Sequence, residues 1–449
     1  MIRTFRPLWL PLLGAALLTA CDTAAPGALD DAMRLGDARL GPLAEQGHIS
    51  VTLGDGKDDP TVIEDARSIL VGALDNMAAL DFAAGHHVSV TYLGKGKVAP
   101  RGAEVDEGPA PSGAAAREPG AHVEGIDAIN LATKNEFRIV FGGGLLAAVG
   151  ERDARLGLDR GTPADQEPLP RPIVPEGVVF TITSNGDDRT RTYGVNADVT
   201  NAVHRRLVQL GSGCSGTLVG PRHVVTAGHC LWSRTNRTWS DDFWVRAGAN
   251  GTAEDAQVLV NNDNIPNGQV LWYYTPAQFR STDGSSTWGF DYGILTIPGR
   301  LGDTVGWMGR VAYSSSSLAD AYVYRRGYPA CSATSNGQPR IDVPSPCSAN
   351  HQYGNTNDCS VGEYESLDGD GWNRVVHHSC DASGGDSGSP LYVYHEGSPA
   401  VAAVHFFSEC NKTNTDVACT GSWVTRPLGA IRMTPEYRDL IGTFRGLYP

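Results

Sequence analysis

Apolar residues follow two different spacings along the chain. Before residue 176, an apolar stripe at helical spacing after Asp59-Pro60 predicts one long helix. Alternating runs in the same part predict strands at 48–53, 88–93 and 137–141. From residue 177 onward, short β-rich runs alternate with turn signals, which is typical of an all-β sandwich or barrel. The strands predicted there are 206–210, 216–219, 223–226, 243–247, 257–260, 292–297, 321–324, 390–394 and 400–407.

One helix is predicted in this second part, at its C-terminal end. Thr434 supplies an N-cap oxygen, Pro435 fits the first helical position, and Glu436 places a negative charge at the positive end of the helix dipole. The apolar stripe of this helix consists of Tyr437, Leu440 and Ile441.

Two segments of the first part have the composition of linkers. Residues 98–120 are rich in Ala, Gly, Pro and Glu, and proline recurs throughout residues 161–176. Exposed segments of this kind are where proteolytic processing concentrates. We therefore interpret residues 21–176 as a tether and a small α+β pro-region with linkers, processed near Glu176. The Gly142-Gly143-Gly144 triplet is interpreted as a turn, because it lacks the Lys-Ser/Thr that follows a phosphate loop.

The N-terminus has the features of a targeting segment. Arg3 and Arg6 precede an apolar run over residues 8–18, which is too short for a permanent membrane-spanning helix. The run ends in Leu18-Thr19-Ala20-Cys21, which resembles a bacterial lipobox. The resemblance implies a signal peptide over residues 1–20 and diacylglycerol on Cys21, while an ordinary signal peptide is the alternative. Either way we expect export, as a cell-envelope lipoprotein or as a protein secreted after processing.

Composition and charge narrow the class of protein further. The chain has 449 residues, 19% charged and 41% apolar, which is a globular composition with room for two or three domains. Its net charge of -14 argues against a nucleic-acid-binding protein, because such a protein presents a basic face.

The cysteines support export. Apart from Cys21, the cysteines are even in number and all lie in the second half of the chain, which predicts disulfides in an oxidising compartment. Eight cysteines allow 105 pairings, so counting does not give the connectivity. Their spacing suggests that neighbours pair, as Cys214–Cys230, Cys331–Cys347, Cys359–Cys380 and Cys410–Cys419. A zinc site is the competing interpretation, but the sequence contains no CxxC pair.

The stretch Ser379–Tyr392, SCDASGGDSGSPLY, contains a candidate nucleophile. Ser387 lies in a glycine-rich turn, and glycines let backbone N–H groups point at a developing oxyanion. A serine becomes a good nucleophile only beside a base, so this stretch alone is a weak signal.

A histidine and an aspartate complete the set. His229 stands beside Cys230 in the sequence Thr226-Ala227-Gly228-His229-Cys230, on a turn that a disulfide would make rigid. Asp291 opens an apolar strand, whereas its rivals Asp255, Asp283 and Asp303 are less well placed. The order His229, Asp291, Ser387 is that of the chymotrypsin-type triad, not of the subtilisin or α/β-hydrolase type.

These blocks resemble the chymotrypsin/trypsin-like serine proteases. The resemblance implies two six-stranded antiparallel β-barrels with a C-terminal helix over residues 177–449. It also implies that Ser387 attacks the peptide carbonyl, His229 transfers the proton and Asp291 orients His229. The backbone N–H groups of Gly385 and Ser387 would form the oxyanion hole.

Three other sequence motifs resemble the V8-like branch of this family, the glutamyl endopeptidases. They are Asn185–Arg191, Gly327-Tyr328-Pro329 and the SGSP that starts at Ser387. In that branch a histidine about 18 residues after the serine helps to bind a P1 glutamate, and His405 matches this position. Phe406, Phe407 and Ser408 replace the glycines expected after it and would narrow the pocket, unless His405 is a core histidine.

Two aspartates of the nucleophile stretch point toward trypsin. Asp381 lies where trypsin-type enzymes keep the acid that binds P1 Arg or Lys, although we interpret it as structural. His405, Asp381 and Ser408 are therefore the candidate residues of the S1 pocket. Asp386 needs a cationic or N–H partner, either a freed N-terminal amine or an internal arginine. The pair His377-His378 is predicted to be exposed, since adjacent strand residues cannot easily share one metal ion.

The sequence therefore predicts an exported serine endopeptidase that works through an acyl-enzyme, with a P1 Glu preference. Trypsin-like cleavage after Arg or Lys, an inactive protease-like binding module and a non-proteolytic esterase are the alternatives. No metal and no organic cofactor is expected. The expected partners are peptide or protein substrates, with no nucleic acid, and a membrane only through Cys21; the protein is expected to be a monomer.

Overall fold

The computed structural model describes residues 28–77, 85–100, 123, 125–162, 189–191, 203–241, 244–251, 256–259, 271–281, 285–331, 334–335, 338–339, 347–348, 350–355, 359–365, 374–408 and 428–447. The predicted signal peptide, Cys21, Glu176, Cys410 and Cys419 lie outside these residues.

The described residues before 163, called here the N-terminal unit, contain four helices and four strands. The helices are α1 (Ala28–Arg34), α2 (Leu40–Glu45), α3 (Pro60–Met77) and α4 (Leu145–Leu156). The strands are β1 (Ile49–Thr52), β2 (His87–Lys95), β3 (Ile126–Asn130) and β4 (Asn135–Gly142). The predicted helix after Pro60 and the three predicted strands are all present, and the unit has the α+β character that the sequence indicates.

The described residues from 203 onward belong to the predicted protease domain and are called here the peptidase region. They are mostly strands, and β5 (Arg189–Arg191) precedes them. The strands of the first half are β6 (Leu207–Leu210), β7 (Ser215–Leu218), β8 (His223–Thr226), β9 (Trp232–Ser233), β10 (Thr238–Trp239), β11 (Trp244–Ala247), β12 (Ala256–Leu259), β13 (Trp272–Pro276) and β14 (Gly293–Thr296). Those of the second half are β15 (Gly309–Arg310), β16 (Tyr324–Gly327), β17 (Thr334–Ser335), β18 (Gln338–Pro339), β19 (Tyr353–Asn355), β20 (Val361–Glu365), β21 (Val375–His378), β22 (Pro390–His395), β23 (Ser398–Ser408) and β24 (Leu428–Arg432). The helices are α5 (Ala277–Arg280), α6 (Leu301–Val305), α7 (Ser315–Ala319) and α8 (Pro435–Leu447).

Most of these strands form two large sheets. The first has the order β1-β2-β4-β3-β13-β14-β8-β7-β6-β11-β12, so the N-terminal unit and the peptidase region share one sheet. The second has the order β20-β21-β24-β23-β22-β16-β19-β5, with β15 paired to β23. The all-β prediction for the peptidase region is confirmed, and its first sheet continues directly into the sheet of the N-terminal unit.

The apolar core follows the same division. The larger cluster runs from the N-terminal unit, with Val90 and Phe137, through Val224 of β8 to Phe444 of α8. A smaller cluster lies under the second sheet and includes Val376 and Leu391. Because one core spans both parts of the chain, the N-terminal unit is not a separate globule.

Several details of the N-terminal unit differ from the sequence prediction. The helices α1 and α2 lie where the sequence indicated a tether, and β3 was not predicted. The predicted linker over 98–120 begins as ordered structure, because the Ala99 N–H donates to the Trp239 carbonyl at 2.8 Å and Val98 bridges Trp239. The glycine turn leads into α4, which sequence periodicity missed. Gly143 and Gly144 have φ of 65° and 78°, a conformation that glycine adopts without strain.

The C-terminal helix α8 forms as predicted. The Thr434 hydroxyl accepts from the Tyr437 N–H at 3.3 Å, and the three residues of the predicted stripe are buried. None of the helices that the structure describes has the length and hydrophobicity needed to cross a membrane.

Candidate active site

His229 lies on a short turn that follows β8. The 3₁₀ turn Gly228–Cys230 is tied to the start of β7 by the Cys214–Cys230 disulfide. The Asp291 carboxylate accepts twice from His229, from the backbone N–H and from Nδ1, each at 2.8 Å. Asp291 is fully buried and His229 is 3% exposed. A proton held on Nδ1 by this carboxylate leaves Nε2 as the basic nitrogen of the ring.

The Asp291 loop is supported from α8. The Asp291 backbone N–H donates to the Trp288 carbonyl at 3.0 Å, which closes the turn before β14. The Tyr437 hydroxyl donates to the Gly289 carbonyl at 2.8 Å, and the Tyr437 ring stacks on Tyr292 at 4.6 Å between centroids. The acid is therefore held by the last helix of the chain as well as by its own strand.

One of the three rival acids, Asp303, is described by the structure, and it lies away from His229 in an exposed ion pair. Asp303 pairs with Arg300 on the surface, where both side chains are almost half exposed. Asp255 and Asp283 lie outside the described residues.

Ser387 lies in a loop clamped onto β7 and the end of β8. Its carbonyl accepts from the Ser215 N–H at 2.8 Å, and the Ser215 hydroxyl donates to the Gly385 carbonyl at 2.8 Å. Gly388 has φ of 86°, and a Cβ there would collide with Ser215 and with Thr226. Because Thr226 ends β8 just before the His229 turn, these contacts bring the serine loop against the histidine turn.

The oxyanion prediction fits this loop. The N–H groups of Gly385 and Ser387 donate to no acceptor among the described residues, and Gly385 has φ of 90°. The Ser387 hydroxyl forms no hydrogen bond with the residues that the structure describes, so the bond to His229 is not closed here. In proteins without substrate such catalytic hydrogen bonds are often long and tighten on binding.

Asp386 has an internal arginine as its partner. Its Oδ1 lies 2.5 Å from Arg325 Nη2, and both side chains are fully buried. Its Oδ2 accepts from the Ser383 N–H at 2.9 Å. In the uncut chain the partner is thus the internal arginine, the second of the two alternatives, and its guanidinium compensates the carboxylate.

Arg325 also holds the rest of the loop that contains Ser387, residues 379–389, called here the nucleophile loop. Its Nε donates to Ser389 Oγ at 3.2 Å and its Nη1 to the Asp381 carbonyl at 3.0 Å. Gly327 makes room for this arrangement, since a Cβ there would lie 2.6 Å from Asp386 Oδ1. One guanidinium thus fixes both sides of Ser387.

His405 lies beside the nucleophile loop. Its carbonyl accepts from the Gly388 N–H at 2.7 Å and its N–H donates to the Ser389 carbonyl at 2.9 Å. Its Nδ1 is 3.1 Å from His378 Nε2, and the ring is 2% exposed. Burial, with the nearby charge of Arg325, lowers the pKa of His378 well below its ordinary value of 6.5, so His378 is neutral.

The prediction that His377 and His378 are exposed is wrong. Both are buried, because β21 lies between β20 and β24 inside the second sheet and both of its faces are covered. His377 packs edge-on against Phe407 at 6.3 Å between centroids, and His378 contacts His405. Their opposite orientation on the strand is as expected.

The other predicted S1 residues have less direct support. The Asp381 side chain is 8% exposed, and the Ser408 side chain lies outside the described residues. Phe406 and Phe407 are buried and pack together at 4.5 Å, while Trp288 lies 6.3 Å from Phe406. Bulky aromatic rings thus stand next to His405, where the sequence suggested a narrowed pocket.

Three of the predicted disulfides are present, Cys214–Cys230, Cys331–Cys347 and Cys359–Cys380. Among the described residues, the one group of His, Cys, Asp or Glu side chains close enough to share a metal ion is Cys214, His229 and Cys230. Both of its sulfurs are bonded to each other, so this donor set does not fit a metal centre.

Sequence reasoning missed Arg325 and the contact between His378 and His405. The available signal for Arg325 was its charge directly after the predicted strand 321–324. An arginine in a buried strand needs an acid beside it. The position of His378 had no such signal, since its partner comes from a different strand.

Comparison with known proteins places this geometry in a family. Residues 214–399 match the family model of the trypsin-like peptidase domain. The chain carries a trypsin-like peptidase domain. The match includes all three residues of the predicted triad, and the recognition of a V8-like relative of chymotrypsin and trypsin is confirmed.

Two curated relatives resemble this peptidase. Glutamyl endopeptidase of Bacillus licheniformis is 28% identical over 208 residues, which are 46% of this chain and 53% of that protein. Extracellular metalloprotease of Bacillus subtilis is 32% identical over 155 residues, 32% of this chain and 43% of that protein. The chain thus spans about half the length of these relatives. The solved structure of a Glu endopeptidase in complex with MPD aligns with a TM-score of 0.41 and 18% identity, over 60% of this chain and 99% of that one.

Proposed function

We propose that this peptidase is a serine endopeptidase in which Ser387, His229 and Asp291 act as a catalytic triad. The observation that carries the proposal is the buried Asp291 carboxylate, which accepts from both the backbone and the ring of His229 at 2.8 Å. Such a carboxylate fixes the ring and stabilises the imidazolium that forms during catalysis. The clamped loop of Ser387 supports the role of this serine as nucleophile.

The reaction would proceed in two halves. Ser387 Oγ attacks the peptide carbonyl carbon while His229 Nε2 takes the hydroxyl proton. The carbon–nitrogen bond then breaks, and His229 returns the proton to the leaving amine, which leaves an ester on Ser387. Water attacks this ester with His229 again as base, and the acid product and free Ser387 are released.

The N–H groups of Gly385 and Ser387 would stabilise the negative oxygen of each tetrahedral intermediate. Their geometry supports this role, because both lie in the turn that holds Ser387 and neither donates to an acceptor among the described residues. Loss of one such donor in a protease raises the barrier by about 3 kcal/mol.

For specificity, we propose a preference for glutamate at P1, with His405 as its ligand. The contact with neutral His378 supports it. If His378 donates from Nε2, then His405 Nδ1 accepts and a neutral His405 carries its proton on Nε2. If His405 is charged, Nδ1 donates to His378 and Nε2 still carries a hydrogen. In these two states His405 Nε2 carries a hydrogen for a carboxylate, whereas a neutral His405 with its proton on Nδ1 would have none there.

Cleavage after Arg or Lys is the second candidate, since Asp381 stands at the trypsin position. Its backbone carbonyl accepts from Arg325 Nη1 at 3.0 Å, which fixes the backbone of Asp381. The relative named Glutamyl endopeptidase supports the glutamate hypothesis.

We further propose that the peptidase acts outside the cytoplasm, as a lipoprotein anchored through Cys21 or as a secreted protein. The three disulfides support an oxidising compartment. The name of the B. subtilis relative, which is called extracellular, agrees with this.

A serine-directed fluorophosphonate probe tests the nucleophile. We expect labelling of Ser387 in the wild-type protein and in Ser314→Ala, which removes an exposed serine, and no labelling in Ser387→Ala. Asp291→Asn should lower kcat by roughly 10⁴-fold, because the ring would be held in the wrong tautomer. A folded wild-type protein whose Ser387 does not react would instead be a binding module of protease-like fold.

A peptide library analysed by mass spectrometry tests specificity and separates a peptidase from an esterase. Cleavage after Glu is expected, and His405→Gln should reduce kcat/KM for Glu substrates by roughly 10- to 100-fold through loss of a charge-assisted hydrogen bond. The matched control is His395→Gln, in the same sheet at the end of β22. Cleavage after Arg or Lys would refute the His405 proposal and assign the pocket to Asp381.

A further inference from the structure

We propose that the N-terminal unit is a permanent part of the enzyme, which stays bound to the peptidase region after cleavage of the segment between residues 163 and 188. This differs from the role of a removable pro-region that the sequence predicts. Three features of the interface support it: a shared sheet, a layer of helices and a buried ion pair.

The shared sheet joins the two parts through β3 and β13. These strands pair antiparallel over five residues, from Trp272 opposite Asn130 to Pro276 opposite Ile126. Trp272, Tyr273 and Tyr274 of β13 are buried. Loss of the N-terminal unit would leave the backbone donors and acceptors of this strand unpaired on one side and would expose large aromatic surface.

The layer of helices joins the unit to the end of the chain. Both α3 and α4 pack on α8. Gly72 of α3 lies against the Leu447 backbone, and Gly150 of α4 lies against the Asp439 side chain, so closely that a Cβ at either glycine would collide. Phe444 contacts Phe141 of the N-terminal unit edge-on at 6.1 Å between centroids. Helices that approach so closely leave no room for water between them.

The buried ion pair links Arg310 of β15 with Asp153 of α4. The distance from Arg310 Nη2 to Asp153 Oδ2 is 2.5 Å, and the side chains are 1% and 4% exposed. Arg310 Nη1 also donates to the Leu158 carbonyl at 3.2 Å. Without the N-terminal unit, the guanidinium would lose both of these acceptors in a site where burial already lowers its pKa. A buried charge without its partner strongly destabilises a protein.

The unit also supports the catalytic acid indirectly. It packs on α8, and Tyr437 of α8 holds the Asp291 loop through Gly289 and Tyr292. The N-terminal unit is thus a positioning element for the proposed triad. We expect that its removal lowers the activity, whereas removal of an inhibitory pro-region would raise it.

The test is to nick the full-length protein. A recognition sequence for a site-specific protease is inserted between residues 163 and 176, so that β5 is left intact, and the cleaved protein is analysed by size-exclusion chromatography. We expect both fragments in one peak at equal amounts, with separation only in denaturant. A peptidase fragment that separates without denaturant, either soluble or aggregated, would overturn the proposal. This result is independent of the proposed function, because elution requires no peptidase activity.

Matched variants locate the interaction. In the nicked protein, Asp153→Asn should raise the dissociation constant of the two fragments at least tenfold, while Asp303→Asn, in an exposed pair, should not change it. If Asp153→Asn does not fold, hydrogen exchange of the β13 amides in the nicked wild-type protein decides. Protection equal to that of the uncut protein supports the proposal, and its loss contradicts it.

Discussion

Arg325 and Arg310 are both buried arginines that pair with an aspartate at 2.5 Å, yet they hold different parts of the molecule together. The carboxylate of Asp386, the hydroxyl of Ser389 and the carbonyl of Asp381, to which Arg325 binds, lie in the nucleophile loop. Arg310 reaches Asp153 and Leu158 of the N-terminal unit and the Arg438 carbonyl of α8. An Arg–Asp pair thus orients the loop of Ser387 in one place and closes an interface between distant parts of the chain in the other.

The surroundings of the two arginines are also alike. Each contributes to the lowered pKa of a buried histidine: Arg325 acts on His378, and Arg310 acts on His223, where the charges of Arg445 and Arg222 have a larger effect. For both rings, burial is the main cause, and the positive charge of neighbouring arginines adds to it. A neutral imidazole adds no further positive charge to these buried surroundings.

The largest effect on stability and activity is expected from breaking the pair of Arg325 and Asp386. Asp386→Ala leaves Arg325 as a buried charge without its carboxylate and should lower the free energy of unfolding by about 3 to 5 kcal/mol. Peptidase activity should fall with it, since the loop of Ser387 loses its anchor. Urea unfolding and a peptide assay measure the two effects. The double variant Arg325→Met/Asp386→Leu should recover most of the stability without the activity; equal loss of stability in single and double variants would contradict the pairing.

A smaller effect is expected from the interface pair. Asp153→Asn in the uncut protein should lower the free energy of unfolding by about 2 to 3 kcal/mol, because the Leu158 and Arg438 carbonyls still accept from Arg310. Activity per folded molecule should change less than in Asp386→Ala. Thermal unfolding together with active-site titration tests this. If Asp153→Asn were as damaging to activity as Asp386→Ala, the two pairs would not have different roles.

The pH dependence of stability is the next largest effect. The unfolded chain binds a proton on each histidine near pH 6.5, but folded His223 and His378 have lower pKa values and do not. Their contribution to stability is therefore complete above about pH 6.5 and is lost as the pH falls, by up to about 1.4 kcal/mol per pH unit for each ring. His223→Leu should flatten the stability curve between pH 7 and 5, as measured by urea unfolding. An unchanged slope would show that His223 is charged in the folded protein.

The smallest effect is expected at the surface. Arg300 and Asp303 also form an Arg–Asp pair at 2.5 Å, but both side chains are almost half exposed. Asp303→Asn should change the free energy of unfolding by no more than about 0.5 kcal/mol and should leave kcat/KM unchanged. A large loss of activity would reopen the assignment of the triad acid, because Asp303 was a rival of Asp291.

The predictable parts of the structure are those with local signals. Thr434 and Pro435 predicted the start of α8, and the helix begins there. Cys214, Cys230 and the sequence around His229 predicted a turn held by a disulfide, and this turn is present. The strands β13, β21 and β24 were missed, because all of their residues are buried and the alternation that identifies a half-exposed strand is absent. The exposure of His377-His378 was misjudged for the same reason.

The relationship between the two parts of the chain could not be predicted. The pairing of β3 with β13 and the ion pair between Asp153 and Arg310 join residues more than a hundred positions apart. Neither partner has a sequence pattern that identifies the other. The sequence therefore predicts two separate parts, whereas in the structure both contribute strands to one shared sheet. Arg325 shows the same limit within the site, since the need of Asp386 for a cation was predictable but the identity of that cation was not.

The position of α8 has a consequence for the order of folding. Helix α8 packs on α3 and α4 and holds the loop of Asp291 through Tyr437, so this loop gains its support only when segments far apart in the chain have met. Contacts of such long sequence separation form slowly in folding. We therefore expect the proposed triad to be assembled late, so that partly folded molecules lack a fixed Asp291.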